Sequence, residues 1–123
     1  MKLNEMFPAG GRGIIAASDS SGNVNIAVYA KPHIVDDKTV AWGMTEGRTW
    51  ACVKENPNAA YLYMNPGPGY SGVRLKLSLK EVLDSGDMLE TVKKRTAEIV
   101  SPGAAEAVTH VAYFEIEEIR PLI

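Results

Sequence analysis

The chain has 123 residues, of which 46% are hydrophobic and 23% charged, the balance of a single globular domain spanning 1–123. The formal net charge of −2 and the pI near 5.7 give no basis for general affinity to nucleic acid or membranes. One cysteine, Cys52, excludes an internal disulfide framework, and no apolar segment approaches the roughly 20 residues of a membrane helix. A soluble protein of the reducing cytoplasm is the expectation, without a metal site.

After a short leader, Ile14-Ile15-Ala16-Ala17 reads as a buried strand. The turn Ser18-Asp19-Ser20-Ser21-Gly22-Asn23 follows, rich in residues that tolerate tight backbone angles. Val24, Ile26 and Val28 alternate with Asn23, Asn25 and Ala27, the period of a half-buried strand. That second strand reads on through Lys31-Pro32-His33-Ile34-Val35, with Pro32 at an edge or a bulge because it cannot donate to a ladder. A third strand covers 39–44. Thr45 stands where a helix cap should stand, Glu46 falls in the first turn, and the helix is expected to end near Asn56, before Pro57.

A fourth strand is expected over 58–65, then the loop Pro66-Gly67-Pro68-Gly69-Tyr70-Ser71-Gly72. Val73, Leu75, Leu77 and Leu79 alternate cleanly with Arg74, Lys76, Ser78 and Lys80, giving a fifth strand. The apolar positions Met88, Leu89, Val92, Ile99 and Val100 predict an amphipathic helix over 85–100, ended by Pro102-Gly103. Its run Lys93-Lys94-Arg95 reads as a solvated face. The last strand runs over 110–119, and Glu117-Glu118 breaks its alternation, which predicts a bulge. Six strands with two inserted helices do not alternate as a doubly wound sheet would. The expected fold is mostly β with two or three helices: a six-stranded antiparallel split β-barrel.

The chemistry is concentrated in Trp42-Gly43-Met44-Thr45-Glu46-Gly47-Arg48-Thr49-Trp50, a strand running into a helix start. A helix N-terminus presents unpaired N–H groups and the positive end of the dipole. Thr45 and Thr49 add hydroxyls and Arg48 a charged fork suited to phosphate; on local chemistry alone, a plain cap and a surface arginine serve as well. Cys52 reads as a buried, inert thiol, and His33 and His110 as structural or surface residues. Trp42, Trp50, Tyr61 and Tyr63 read as core or interface aromatics, and Asp84, Asp87 and Glu90 as helix caps and solubilising charges.

Three segments together resemble the pyridoxamine 5'-phosphate oxidase-like FMN-binding split-barrel superfamily, and its small FMN-binding proteins in particular. They are the hairpin over 14–28; Gly43-Met44-Thr45 with Arg48-Thr49 and the Asn56-Pro57-Asn58 turn; and Gly67-Pro68-Gly69-Tyr70-Ser71-Gly72 opening a long strand. The resemblance implies that Arg48 and Thr49 hold the phosphate of FMN. It implies that Val28, Tyr29, Ala30 and Lys31 lie beside the ring and ribityl chain, and that Gly43, Met44 and Thr45 pass along the other side. It further implies a homodimer whose second chain completes the site, and a flavin that exchanges electrons with a donor or acceptor. The last strand is followed directly by Ile123, without the extended C-terminal substrate region of the larger oxidases, so pyridoxamine-phosphate oxidation itself is not expected. No catalytic acid or base stands out. A non-enzymatic FMN carrier, or the same fold holding haem or a deazaflavin, remains the alternative.

Overall fold

The computed structural model describes residues 2–123. A 3-10 turn at Leu3–Glu5 leads into β1 (Arg12–Ser18), β2 (Val24–Val28), β3 (His33–Ile34), β4 (Thr39–Met44), α1 (Arg48–Glu55), β5 (Asn58–Met64), β6 (Gly72–Leu83), α2 (Asp87–Ile99), α3 (Pro102–Ala107) and β7 (His110–Pro121). The strands form one antiparallel sheet in the order β2-β1-β5-β6-β7-β4-β3. Seven strands replace the expected six because β2 ends at Val28 and the segment after Pro32 forms a strand of its own. Beyond the proline, β3 leaves β1 and pairs with β4, His33 opposite Ala41. The two segments read as one strand therefore lie at opposite ends of the sheet.

The sheet curls around a core that includes Ile15, Val40, Trp42, Tyr61, Leu75 and Phe114, each at most 3% exposed. Two irregularities bend its longest pair. Lys76 faces Glu118 and Leu77 faces Ile116, so Glu117 is the extra residue of a bulge, as the broken alternation predicts. Leu79 faces Phe114 and Glu81 faces Tyr113, so Lys80 is a second one. Side chains then tether the chain beyond β2 to the barrel. Tyr61 Oη donates to Ala30 O at 2.9 Å, and Trp42 Nε1–H donates to the same carbonyl at 2.8 Å.

The alternation in β2 is real, but its apolar side faces outward: Val24, Ile26 and Val28 are 75%, 68% and 80% exposed. Asn25 and Ala27, on the other side, are half-buried under α1. Period 2 locates a strand without saying which face is covered. Likewise, Pro102 does not only follow a helix; it starts one. Ser101 caps α3 by accepting from Ala104 N–H at 3.0 Å, and Pro102 sits in the first turn, where its missing N–H has no helical partner to lose.

Candidate functional site

Helix α1 begins at Arg48, three residues after the expected cap. Gly47, in extended conformation, is the cap residue, and no side chain covers the helix start. Thr45 is exposed and free of that role. The first helical bond is Ala51 N–H to Gly47 O at 3.1 Å, so the amides of Arg48, Thr49 and Trp50 precede the ladder. Arg48 is exposed beside them, while Thr49 is buried and accepts a hydrogen bond from Asn25 Nδ2 at 3.1 Å. These groups open onto a cleft of about 420 Å³ between β2 and β4, lined by Val28, Tyr29, Gly43, Thr45, Arg48 and Thr49 among others. Burial raises the Tyr29 phenol's pKa, and a hydrogen bond from Thr49 offsets part of that rise.

A second cavity, of about 210 Å³, adjoins the first through Val28, Tyr29 and Gly43, and its lining includes Ala30, Lys31, Trp42 and Arg95. Eight of the nine residues singled out in the sequence thus line one or other of the two cavities. The exception is Met44, which is 1% exposed and packed in the core, so only its backbone is near the cleft. Its carbonyl accepts from Thr109 N–H at 3.1 Å. Gly43 has a packing reason of its own: a Cβ there would run into Val92 of α2 and into Val108. That close approach sets α2 against β4 and makes it a wall of the second cavity.

Two residues of the site, Asn25 and Arg95, were not legible as such. Asn25 orients Thr49, and its place in an apolar alternation carried no sign of that. Arg95 belongs to a basic run read as solvated, yet it is half-buried and faces the cavity; Lys93 Nζ in turn reaches Val108 O at 3.3 Å, and only Lys94 is exposed. His110, expected to be structural or at the surface, is structural and lines neither cavity. It is buried, stacks on Trp50 with ring centroids 3.9 Å apart, and meets Glu46 through Nε2 and Asp84 through Nδ1, both at 2.5 Å. Neutral imidazole has one N–H, so two carboxylates on its two nitrogens select the imidazolium. Burial opposes that charge, but the hydrogen bonds and charges of Asp84 and Glu46 outweigh it, and the pKa of His110 is raised. Glu46 and Asp84 are therefore not merely dipole and solubility charges: through His110 they join the turn before α1 to the turn before α2.

The same chain course recurs in solved structures. An FMN-binding protein from Syntrophomonas wolfei subsp. wolfei superposes with TM-score 0.81 at 20% identity, over 98% of this chain and 80% of that one. An F420 reductase matches with TM-score 0.69 at 15% identity, over 95% and 94%. HutZ, the heme storage protein from Vibrio cholerae, matches with TM-score 0.65 at 12% identity, over 98% and 95%. The chain has the split-barrel fold of the pyridoxamine 5'-phosphate oxidase-like proteins. No protein-family model matches the sequence, and no curated protein matches it. At these identities the split barrel is what is shared, and the three neighbours carry three different cofactor names on it. No helix of the described residues is long and apolar enough to cross a membrane.

Proposed function

We propose that this split barrel binds FMN without a covalent bond and serves as a flavin-dependent oxidoreductase. The observation that carries the reading is the uncapped start of α1, where three amides, Arg48, Thr49 and the exposed Thr45 border one cleft. That donor set fits a terminal phosphate dianion: amides and hydroxyls supply directed bonds, and the guanidinium supplies charge and a planar fork. Beyond it, Tyr29, Val28 and Gly43 offer the less polar walls that a ring and its ribityl chain require. When bound, FMN supplies the two-electron chemistry, while the protein anchors and orients it.

We place the protein as a homodimer. Val24, Ile26 and Val28 on β2 and Ile14 on β1 form an outward apolar face that a second copy would cover, and Val28 carries that face to the rim of the cleft. A second reading keeps the fold and exchanges the cofactor for haem or a deazaflavin, which the heme storage protein and the F420 reductase among the neighbours favour. One titration separates them. The purified protein should bind FMN with flavin absorption bands and hold it at least tenfold more tightly than riboflavin, which lacks the phosphate. Equal affinity for the two would remove the phosphate site, and binding of haem but not FMN would establish the second reading. A protein that takes up FMN and is reduced once, with no turnover of any acceptor, is a carrier.

A further inference from the structure

The far end of the cleft carries a separate concentration of positive charge. Lys31 follows β2, His33 lies in β3 and Arg95 lies on α2, one turn beyond Val92, which packs over Gly43. All three line two cavities that meet here, of about 210 and 290 Å³. No aspartate or glutamate lines either cavity, although the chain as a whole has more acids than bases. The ion pairs among the described residues are His110 with Glu46 and with Asp84, and Arg120 with Glu118; neither Lys31 nor Arg95 takes part. Arg95 Nη1 instead reaches His33 Nδ1 at 3.5 Å, using the imidazole as an acceptor. Burial, and then the Arg95 charge, lower the His33 pKa, so the ring stays neutral there.

Two half-buried cations without a counter-ion repel each other and lose hydration, a cost that a bound anion would offset. We infer that Lys31, His33 and Arg95 form a second anion site, which takes the carboxylate or other oxyanion end of a small ligand with an apolar body. Val92, Val108 and Trp42 line the inner part of the 210 Å³ cavity, and Val28, Ile99 and Val100 are exposed at its mouth, where that body would lie. Arg48 lines neither cavity, so this site is distinct from the phosphate end. The two ends share Val28, Tyr29 and Gly43, which would bring such a ligand alongside anything held at the α1 terminus. The inference stands whether or not the cofactor is FMN.

Benzoate tests it, with benzyl alcohol as the uncharged control. Calorimetric titration of the full chain, with and without added FMN, should give one benzoate per chain and no saturable uptake of benzyl alcohol. Arg95→Gln, which keeps a good helix former, and Lys31→Gln should each weaken benzoate about tenfold or more, the scale of one charge-assisted hydrogen bond. Arg48→Gln should change it less than twofold. Nitrogen NMR should show the Arg95 Nε–H and the His33 ring shifting with benzoate. Undiminished binding in both variants, shifts confined to Arg48 and Thr49, or displacement of bound FMN by benzoate would each overturn the inference. Benzoate binding as expected in a protein that ignores FMN would sustain this site and end the flavin reading.

Discussion

Strands β2 and β4 wall the same cleft, carry comparable apolar sequences and are buried to opposite degrees. Every residue of β4 except Gly43 is buried: Val40, Trp42 and Met44 point into the barrel, and Ala41 is covered by the cluster that Leu89 and Val92 bring from α2. In β2 only the side under α1 is covered, and three branched aliphatic residues face outward. Apolar sequence thus measures what a strand could bury, and the neighbouring elements decide what it does bury. The cleft has one fixed wall and one wall whose outer face is open to association.

The sharpest way to separate the walls is to truncate each. Trp42→Ala should cost about 3–5 kcal/mol of folding stability, the range for removing a large aromatic from a packed core, and should lower the urea midpoint accordingly. It would also leave the Ala30 carbonyl with Tyr61 Oη as its one remaining side-chain donor. Ile26→Glu should leave the stability of a single chain within about 0.5 kcal/mol of the parent, as for an ordinary surface change. If a second copy covers this face as proposed, sedimentation should nevertheless show dimerisation weakened at least tenfold, because the charge would then be buried unpaired. A clear loss of monomer stability in Ile26→Glu would break the comparison, since β2 would then be part of the core.

The smallest effect concerns the staple at the base of the fixed wall. His110 has a raised pKa in the folded chain, so its contribution is fully present below the unfolded value of about 6.5. It is lost as pH rises through the folded pKa, when the imidazolium yields its proton and one carboxylate faces a bare nitrogen. His33 is lowered, so its contribution is present above about 6.5 and is lost as pH falls through the folded pKa. Urea midpoints should therefore decline on the alkaline side, and His110→Gln should remove that decline while leaving the acid side in place. An alkaline slope that survives His110→Gln would assign it to another group.

Much of this arrangement was readable in the residues. The order of the longer strands and of the two longer helices, the bulge at Glu117 and the cleft-lining positions 28–31, 43, 45, 48 and 49 follow from alternation, turn chemistry and the family resemblance. What was not readable depends on tertiary cover. Thr45 looks like a cap because its hydroxyl suits one, yet the cap is Gly47, in extended conformation, and the amides at the helix start stay open. The outward face of β2 has the same letters as an inward one. His110 lies 64 residues from Glu46 and 26 from Asp84, so their meeting was invisible without the fold. Arg95 was hidden in a basic run because only the packing of α2 on Gly43 decides which of three cations turns inward.

The most direct test of the central claim is the ratio of FMN to riboflavin affinity in the parent chain and in Arg48→Ala, measured by fluorescence quenching of the flavin. If the start of α1 holds the phosphate, Arg48→Ala should weaken FMN by about 1.5–3 kcal/mol, leave riboflavin unchanged and so collapse the ratio. A ratio that does not move, or that is near one in the parent chain, would contradict the phosphate site and with it the flavin reading of this cleft.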